Sequence, residues 1–172
     1  MMIVIVISVV LIVQRFSELL LSRRNIGWAM AHGAREYGND HYWLFIALHS
    51  MWIVAINVEW YVLRPTIPSF WPIIAAILIL AQLIRYWAIK TLGKRWNTRI
   101  VVMPDLPLVV AGPYRFFKHP NYLAVVLEIA AVPALVGCWY TAIVFSILNA
   151  VLLFFIRIPA EEKALRSRRA TG

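Results

Sequence analysis

An all-α bundle of about five membrane-crossing helices, forming one unit over residues 1–172, is the fold this chain predicts. Three observations lead there. First, 62% of the residues are hydrophobic and only 15% charged, against roughly 45–50% and 25% in soluble domains. Second, the apolar residues gather into runs long enough to span a bilayer. Third, the basic residues collect in the segments between those runs, where charge reports topology.

The first run covers residues 2–21 and is interrupted by Gln14, Arg15 and Glu18. No cationic n-region or A-x-A site precedes it, so it is expected to be retained rather than cleaved. The second run covers residues 42–63 and the third residues 70–89. The fourth, residues 122–136, and the fifth, residues 139–156, are separated only by Gly137 and Cys138, which makes them a helical hairpin. Crossing a bilayer takes about 20 helical residues, so the fourth run is short, and Pro133 is expected to bend it. A hairpin that dips without crossing is the weaker reading, two crossings the stronger. No internal repeat or low-complexity tract is visible.

Basic residues set the direction. The first connection carries Arg23, Arg24 and Arg35. The third carries Lys90, Lys94, Arg95, Arg99, Arg115 and Lys118. The C-terminal segment adds Arg157, Lys163, Arg166, Arg168 and Arg169, while the opposite side has only Arg64. Five crossings put those three basic segments on one face, which the positive-inside rule makes cytoplasmic, with the N-terminus outside. Trp60, Tyr61, Trp71, Trp139 and Tyr140 then form an outer aromatic belt, and Tyr86, Trp87 and Trp96 an inner one. The same distribution argues against a nucleic-acid partner for the net charge of +9. The single cysteine, Cys138, excludes an internal disulfide and a multi-cysteine metal site, and is expected to be a small packed residue.

Polar chemistry concentrates at one end of the hairpin. GPYRFFKHPNYL, residues 112–123, is a tight turn that leads into the fourth run; RIPAEE, residues 157–162, closes the fifth. Gly112-Pro113 and His119-Pro120-Asn121 are turn signals, with Asn121 a plausible N-cap. Lys118 and His119 beside a helix start suit a carboxylate; a basic loop anchored on anionic lipid accounts for the same residues equally well. Arg157 follows LLFFI at hydrocarbon depth, where it must snorkel or pair. Four residues separate it from Glu161, so the two share a face if the helix continues, although Pro159 argues against an undistorted helix. A salt bridge to Glu161 or Glu162 is the structural reading of Arg157. A guanidinium that receives an anionic substrate group is the functional one.

Further polar residues lie within the spans. Arg15, Glu18, Arg85 and Glu128 are expected to face the bundle interior, where Glu128 has Arg85 as a possible partner. Glu59 is expected to reach water near the outer surface. His32, His41 and His49 form neither HxxxH nor HExxH, so no metal site is expected, and His49 reads as a core histidine.

The paired motifs GPYRFFKHPNYL and RIPAEE, one hairpin apart, resemble the isoprenylcysteine carboxyl methyltransferase family of integral membrane enzymes over roughly residues 84–165. The N-terminal half, with RFSELLLSRRNIGWAMAHGAREYGNDHY, resembles a bacterial branch of the same family, whose members are similar to enzymes that methylate lipid-like phenols or pyrones made by polyketide synthases. The resemblance implies S-adenosylmethionine as methyl donor, S-adenosylhomocysteine as product and a lipophilic acceptor reached through the bilayer. It also implies cofactor-binding positions at Leu106, Pro107, Leu108, Val109, Tyr114, His119, Pro120, Asn121 and Tyr122, with Glu161 closing the pocket and Arg157 facing the acceptor. Two departures stand out. Lys118 replaces the family's usual arginine, keeping charge but losing bidentate geometry, and no glutamine occurs around Val101 and Val102.

A carboxylate acceptor is ionised at neutral pH, whereas a phenol, with a reference pKa near 10, needs a neighbouring cation or a base. Rival readings are a phospholipid amine methyltransferase, an NADPH-dependent membrane reductase and a non-catalytic scaffold. The amine reading favours a carboxylate over Arg157. The reductase reading lacks a glycine-rich dinucleotide signature. The scaffold leaves the paired polar motifs without a role.

Overall fold

A computed structural model describes residues 2–169. Six helices carry the fold: α1 (Met2–Ala31), α2 (Asn39–Leu63), α3 (Trp71–Leu92), α4 (Pro120–Leu135), α5 (Trp139–Val151) and α6 (Ile158–Arg169). A π-helical segment, Leu152–Arg157, joins α5 to α6 without a break. Four stretches, Met2–Ala31, Asn39–Leu63, Trp71–Arg95 and Trp139–Ser167, are long and apolar enough to cross a membrane.

The fourth helix is the short one. Its 16 residues rise about 24 Å, less than the ~30 Å hydrocarbon core. The hairpin nevertheless reaches the end of the bundle opposite the motifs, because Gly137 in its turn abuts the Thr66 carbonyl and Cys138 sits against the Ile56 carbonyl. Pro133 lies in the last turn of α4, and the helix ends two residues later. Glu59 does not simply reach water, as the sequence suggested. It accepts hydrogen bonds from the backbone N–H groups of Tyr140 and Thr141 at 3.1 and 2.7 Å, and so caps the start of α5.

The main core is drawn from four helices: Val4 and Leu11 of α1, Leu48, Trp52 and Ile56 of α2, Ile129 and Val132 of α4, and Phe145 of α5. Trp52 Nε1–H donates to the Ile129 carbonyl at 3.2 Å. The most extensive helix contact is between α3 and α4. Their buried residues include Ala81, Ala88, Ala124 and Ala131, the small side chains that let helices approach closely in lipid.

Polar side chains inside the spans find one another. Arg85 Nη1 bonds both oxygens of Glu18, at 2.9 and 3.1 Å, and its Nη2 donates to Glu128. Arg15 also reaches both carboxylates. Gln14 and Gln82 complete the cluster, Gln82 Nε2 donating to Glu128 at 3.0 Å. Two guanidiniums thus neutralise two carboxylates. Arg85 and Glu128, 1% and 0% exposed, pair as their place in the spans suggested, which is how intramembrane charges are tolerated.

The bundle is not purely helical. β1 (Arg35–Tyr37) pairs antiparallel with β2 (Ile100–Val102), Glu36 facing Val101. This clasp ties the first connection to the third, reinforced by Arg99, which donates to Glu36 at 2.7 Å. Ile100 and Val102 pack against Ala164 of α6. The two basic connections and the basic C-terminal helix therefore meet at one end of the bundle.

Candidate functional site

Where those segments meet, the chain encloses a cavity of about 580 Å³. This falls within the roughly 300–1,000 Å³ typical of small-molecule sites. One wall is the loop after α3. Asn25 of α1 donates to the carbonyls of Trp96 at 2.6 Å and Gly93 at 3.2 Å. Ser22 accepts from the Thr98 N–H at 3.0 Å. These two buried polar residues of α1 therefore hold the loop's backbone groups, which cannot reach water. Arg95 Nη1 donates to the Pro107 carbonyl at 2.8 Å, tying the start of the loop to its later part.

A second wall is the turn into α4. Gly112 has φ 56°, and a Cβ there would lie 2.3 Å from Thr91 Oγ1 and 3.0 Å from Trp87 Nε1. Only glycine allows the 3₁₀ turn Gly112–Arg115 to sit this close to the last turns of α3. Helix α4 starts with Pro120 at its first position and His119 as the flanking residue. Asn121 is thus inside the helix and not its N-cap, because proline's fixed φ and missing N–H suit the first helical position.

The third wall is the π-helical exit of α5. Ile158 N–H bonds the Leu153 carbonyl, five residues back. This wider pattern lets the helix pass through Pro159, whose missing N–H would leave an unmade bond in an ordinary α-helix. Arg157 ends this segment, 5% exposed. Its Nε donates to Tyr122 Oη at 3.0 Å and its Nη2 to the Thr98 carbonyl at 2.7 Å, while the guanidinium lies 5.7 Å above the Phe45 ring.

The salt bridge expected from Arg157 to Glu161 or Glu162 does not form. Tyr122 stands between the first pair, accepting from Arg157 and donating to Glu161, and Glu162 pairs with Arg166 at 3.7 Å. His119 Nδ1 lies 3.8 Å from Glu161, and its ring stacks on Tyr122 at 5.2 Å. Burial first, and then the Glu161 carboxylate, push the Tyr114 hydroxyl well above its ordinary value, so it stays protonated.

All eleven residues singled out in the sequence line this one cavity: Leu106, Pro107, Leu108, Val109, Tyr114, His119, Pro120, Asn121, Tyr122, Arg157 and Glu161. Sequence reasoning missed Trp96, Asn97 and Arg95, which line it too. It also assigned Trp96 to an aromatic belt, whereas that ring is 2% exposed within the protein. Trp96 Nε1, Asn97 Oδ1 and Asn121 Oδ1 are buried without a partner among the described residues. One donor and two acceptors left unspent beside a cavity, with the Glu161 carboxylate and the cations Arg95, Arg99 and Lys118, fit a ligand carrying amine, hydroxyl and carboxylate groups.

Residues 73–167 match the model of the isoprenylcysteine carboxyl methyltransferase family, a span that runs from α3 through the cavity loop into α6. Over 157 residues the chain is 43% identical to the uncharacterized protein YpbQ of Bacillus subtilis, covering 91% of this chain and 93% of that one. Over 152 residues it is 28% identical to an uncharacterized protein of Haemophilus influenzae, covering 88% of each. No solved structure matches the chain.

Proposed function

From a chain that belongs to the isoprenylcysteine carboxyl methyltransferase family, a family of membrane methyltransferases, we propose an S-adenosylmethionine-dependent enzyme that methylates a carboxylate or phenolic oxygen of a lipophilic acceptor. The observation that carries this reading is the state of Arg157. It is buried, it is held by a phenol and a carbonyl through Nε and Nη2, and no described carboxylate pairs with it. A buried guanidinium in that condition is a receptor for an anionic oxygen.

The neighbouring residues divide the remaining tasks. Bound S-adenosylmethionine supplies an electrophilic methyl group. Glu161, Asn97 and Asn121 offer acceptors for its hydroxyl and amino groups, Trp96 offers a donor, and Lys118 and Arg95 offer charge for its carboxylate. Tyr122 fixes Arg157 relative to Glu161, so the acceptor side and the cofactor side are joined by one hydroxyl. Aligning two reactants in this manner can remove about 7–11 kcal/mol from a barrier. A carboxylate acceptor arrives ionised, and a phenol would be held as its phenolate by the guanidinium. No covalent enzyme intermediate is required.

The gathering of three basic segments at the cavity end supports a cytoplasmic cavity and an outside N-terminus. The lipophilic acceptor then approaches from the bilayer, between spans, and the cofactor from water. Incubating membranes with labelled S-adenosylmethionine and extracted lipid, followed by mass spectrometry, tests the reaction. A labelled methyl ester or methyl ether is expected. Label confined to amine headgroups, or thermal stabilisation by NADPH and not by S-adenosylhomocysteine, would replace this reading.

A further inference from the structure

The short turn that walls the cavity has two faces of opposite character. Tyr114 and residues 118–122 line the cavity, whereas Arg115, Phe116 and Phe117 do not. These three point away from it. Phe116 is 71% and Phe117 47% exposed, and neither Arg115 nor Lys118 pairs with a described carboxylate.

Two bulky rings left bare in a connecting loop are out of place in water. Their setting explains them. Phe116 lies 6.5 Å from Trp87, which, with Tyr86 and Leu83, belongs to the outward surface of α3. The turn is pressed against that helix through Gly112, so the apolar outer surface of the span continues onto the loop. Charge completes the pattern. Between residues 93 and 120 the sequence holds five basic residues and one acidic one, Asp105; Arg99 is paired with Glu36 and Arg95 and Lys118 line the cavity, while Lys94 and Arg115 lie outside its lining. Aromatic rings flanked by cations at the end of a span match the boundary between acyl chains and acidic headgroups.

We propose that the outward face of the turn, Arg115, Phe116 and Phe117, docks into an anionic lipid leaflet, and that this docking holds the cavity wall in its cofactor-binding form. The occupant is the acidic leaflet itself, chosen by charge complementarity and by continuity with the lipid-facing side of α3. The coupling follows from chain connectivity, since Tyr114 and Lys118 flank the docked residues on either side. The coupling rests on the cofactor reading above; the docking does not.

Two measurements on the full chain in nanodiscs separate these parts. In the first, a Phe117→Cys variant carries an environment-sensitive fluorophore, in discs containing acyl-brominated lipid; Cys138 is buried and stays unlabelled. Quenching is expected. A label that stays bright, whether open to an aqueous quencher or shielded from it by another protein, overturns the proposal. In the second, S-adenosylhomocysteine is titrated in discs of phosphatidylcholine with and without phosphatidylglycerol. One cation near an acidic leaflet is worth about fivefold, so binding should tighten about fivefold or more with the acidic lipid. That gain should vanish in the Arg115→Gln, Phe116→Ser, Phe117→Ser triple variant, with affinity in neutral lipid unchanged. Equal affinity of the wild type in both lipids refutes the coupling. Quenching without any binding of S-adenosylhomocysteine leaves the docking intact and removes the cofactor reading instead.

Discussion

Two clusters of buried ionisable groups sit in this bundle, and they are built on opposite principles. In the mid-bundle cluster, Arg15 and Arg85 meet Glu18 and Glu128, and Gln14 and Gln82 take up further valences. Charge cancels within the cluster, and although Arg15 Nε and Arg85 Nε have no partner among the described residues, none of its residues lines the cavity. In the cavity cluster, Arg157 has neutral partners only, and Glu161 is met by a phenol and, at 3.8 Å, by an imidazole. One arrangement balances its charge away from any cavity wall; the other keeps capacity in reserve beside open volume. Burial and charge alone therefore do not mark a functional site. Unmet valence next to open volume does.

Mutations can break that contrast. The largest effect is expected in the closed cluster. Glu128→Ala leaves two guanidiniums facing one carboxylate, and removing one partner of a buried pair costs about 3–5 kcal/mol. A large drop in thermal stability in detergent is expected, with S-adenosylhomocysteine binding unaltered in the fraction that remains folded. Arg157→Ala should do the converse. Loss of a positioned charge donor lowers turnover by about 10²–10³-fold, while cofactor affinity stays near wild type and the melting temperature falls less than in Glu128→Ala. Wild-type turnover in that variant would take Arg157 out of the mechanism.

The smaller effects sharpen the picture within the cavity. Glu161→Ala should weaken S-adenosylhomocysteine binding by about tenfold, as loss of a charge-assisted hydrogen bond implies, and calorimetry in detergent checks it. Tyr122→Phe removes the hydroxyl shared by Arg157 and Glu161. Turnover should fall by roughly five- to tenfold, the worth of a hydrogen bond of about 1 kcal/mol or slightly more. The smallest effect concerns pH. Because the Tyr114 pKa is raised in the folded chain, the folded state keeps that proton longer than the unfolded one. Its contribution is present below the unfolded value near 10 and is lost as pH rises above it. Tyr114→Phe should flatten that part of the alkaline limb in a denaturation series, and an unchanged limb would contradict the assignment.

The spans were legible because hydropathy and charge repeat over long windows. The Arg85–Glu128 pair was also within reach, since isolated charges in lipid have few alternatives. What escaped notice depended on backbone groups or on the irregular loop. Thr98 holds Arg157 through its carbonyl, a contact that no side-chain type announces. The β1–β2 clasp uses three residues from each connection, too few for an alternation to show. Trp96 looked like a belt residue because it follows basic residues at the end of a span; only its packing beneath the loop reveals otherwise. Asn121 looked like a cap until Pro120 claimed the first helical position. The motif residues were found through their resemblance to a family, and their convergence on one cavity supports a shared role.

The π-helical segment has a consequence for how this protein tolerates insertion and loss. It accommodates a surplus residue in the helical winding, and each residue advances an α-helix by about 100°. Deleting one residue between 152 and 156 would let the winding relax to a regular helix. Everything C-terminal to the deletion would then swing by about that angle, carrying Glu161 out of reach of Tyr122 and Ala164 off the strand clasp. Exposed Phe154 and Phe155 are free to vary in kind, yet their number is fixed: the phase of the whole C-terminal helix is counted out there.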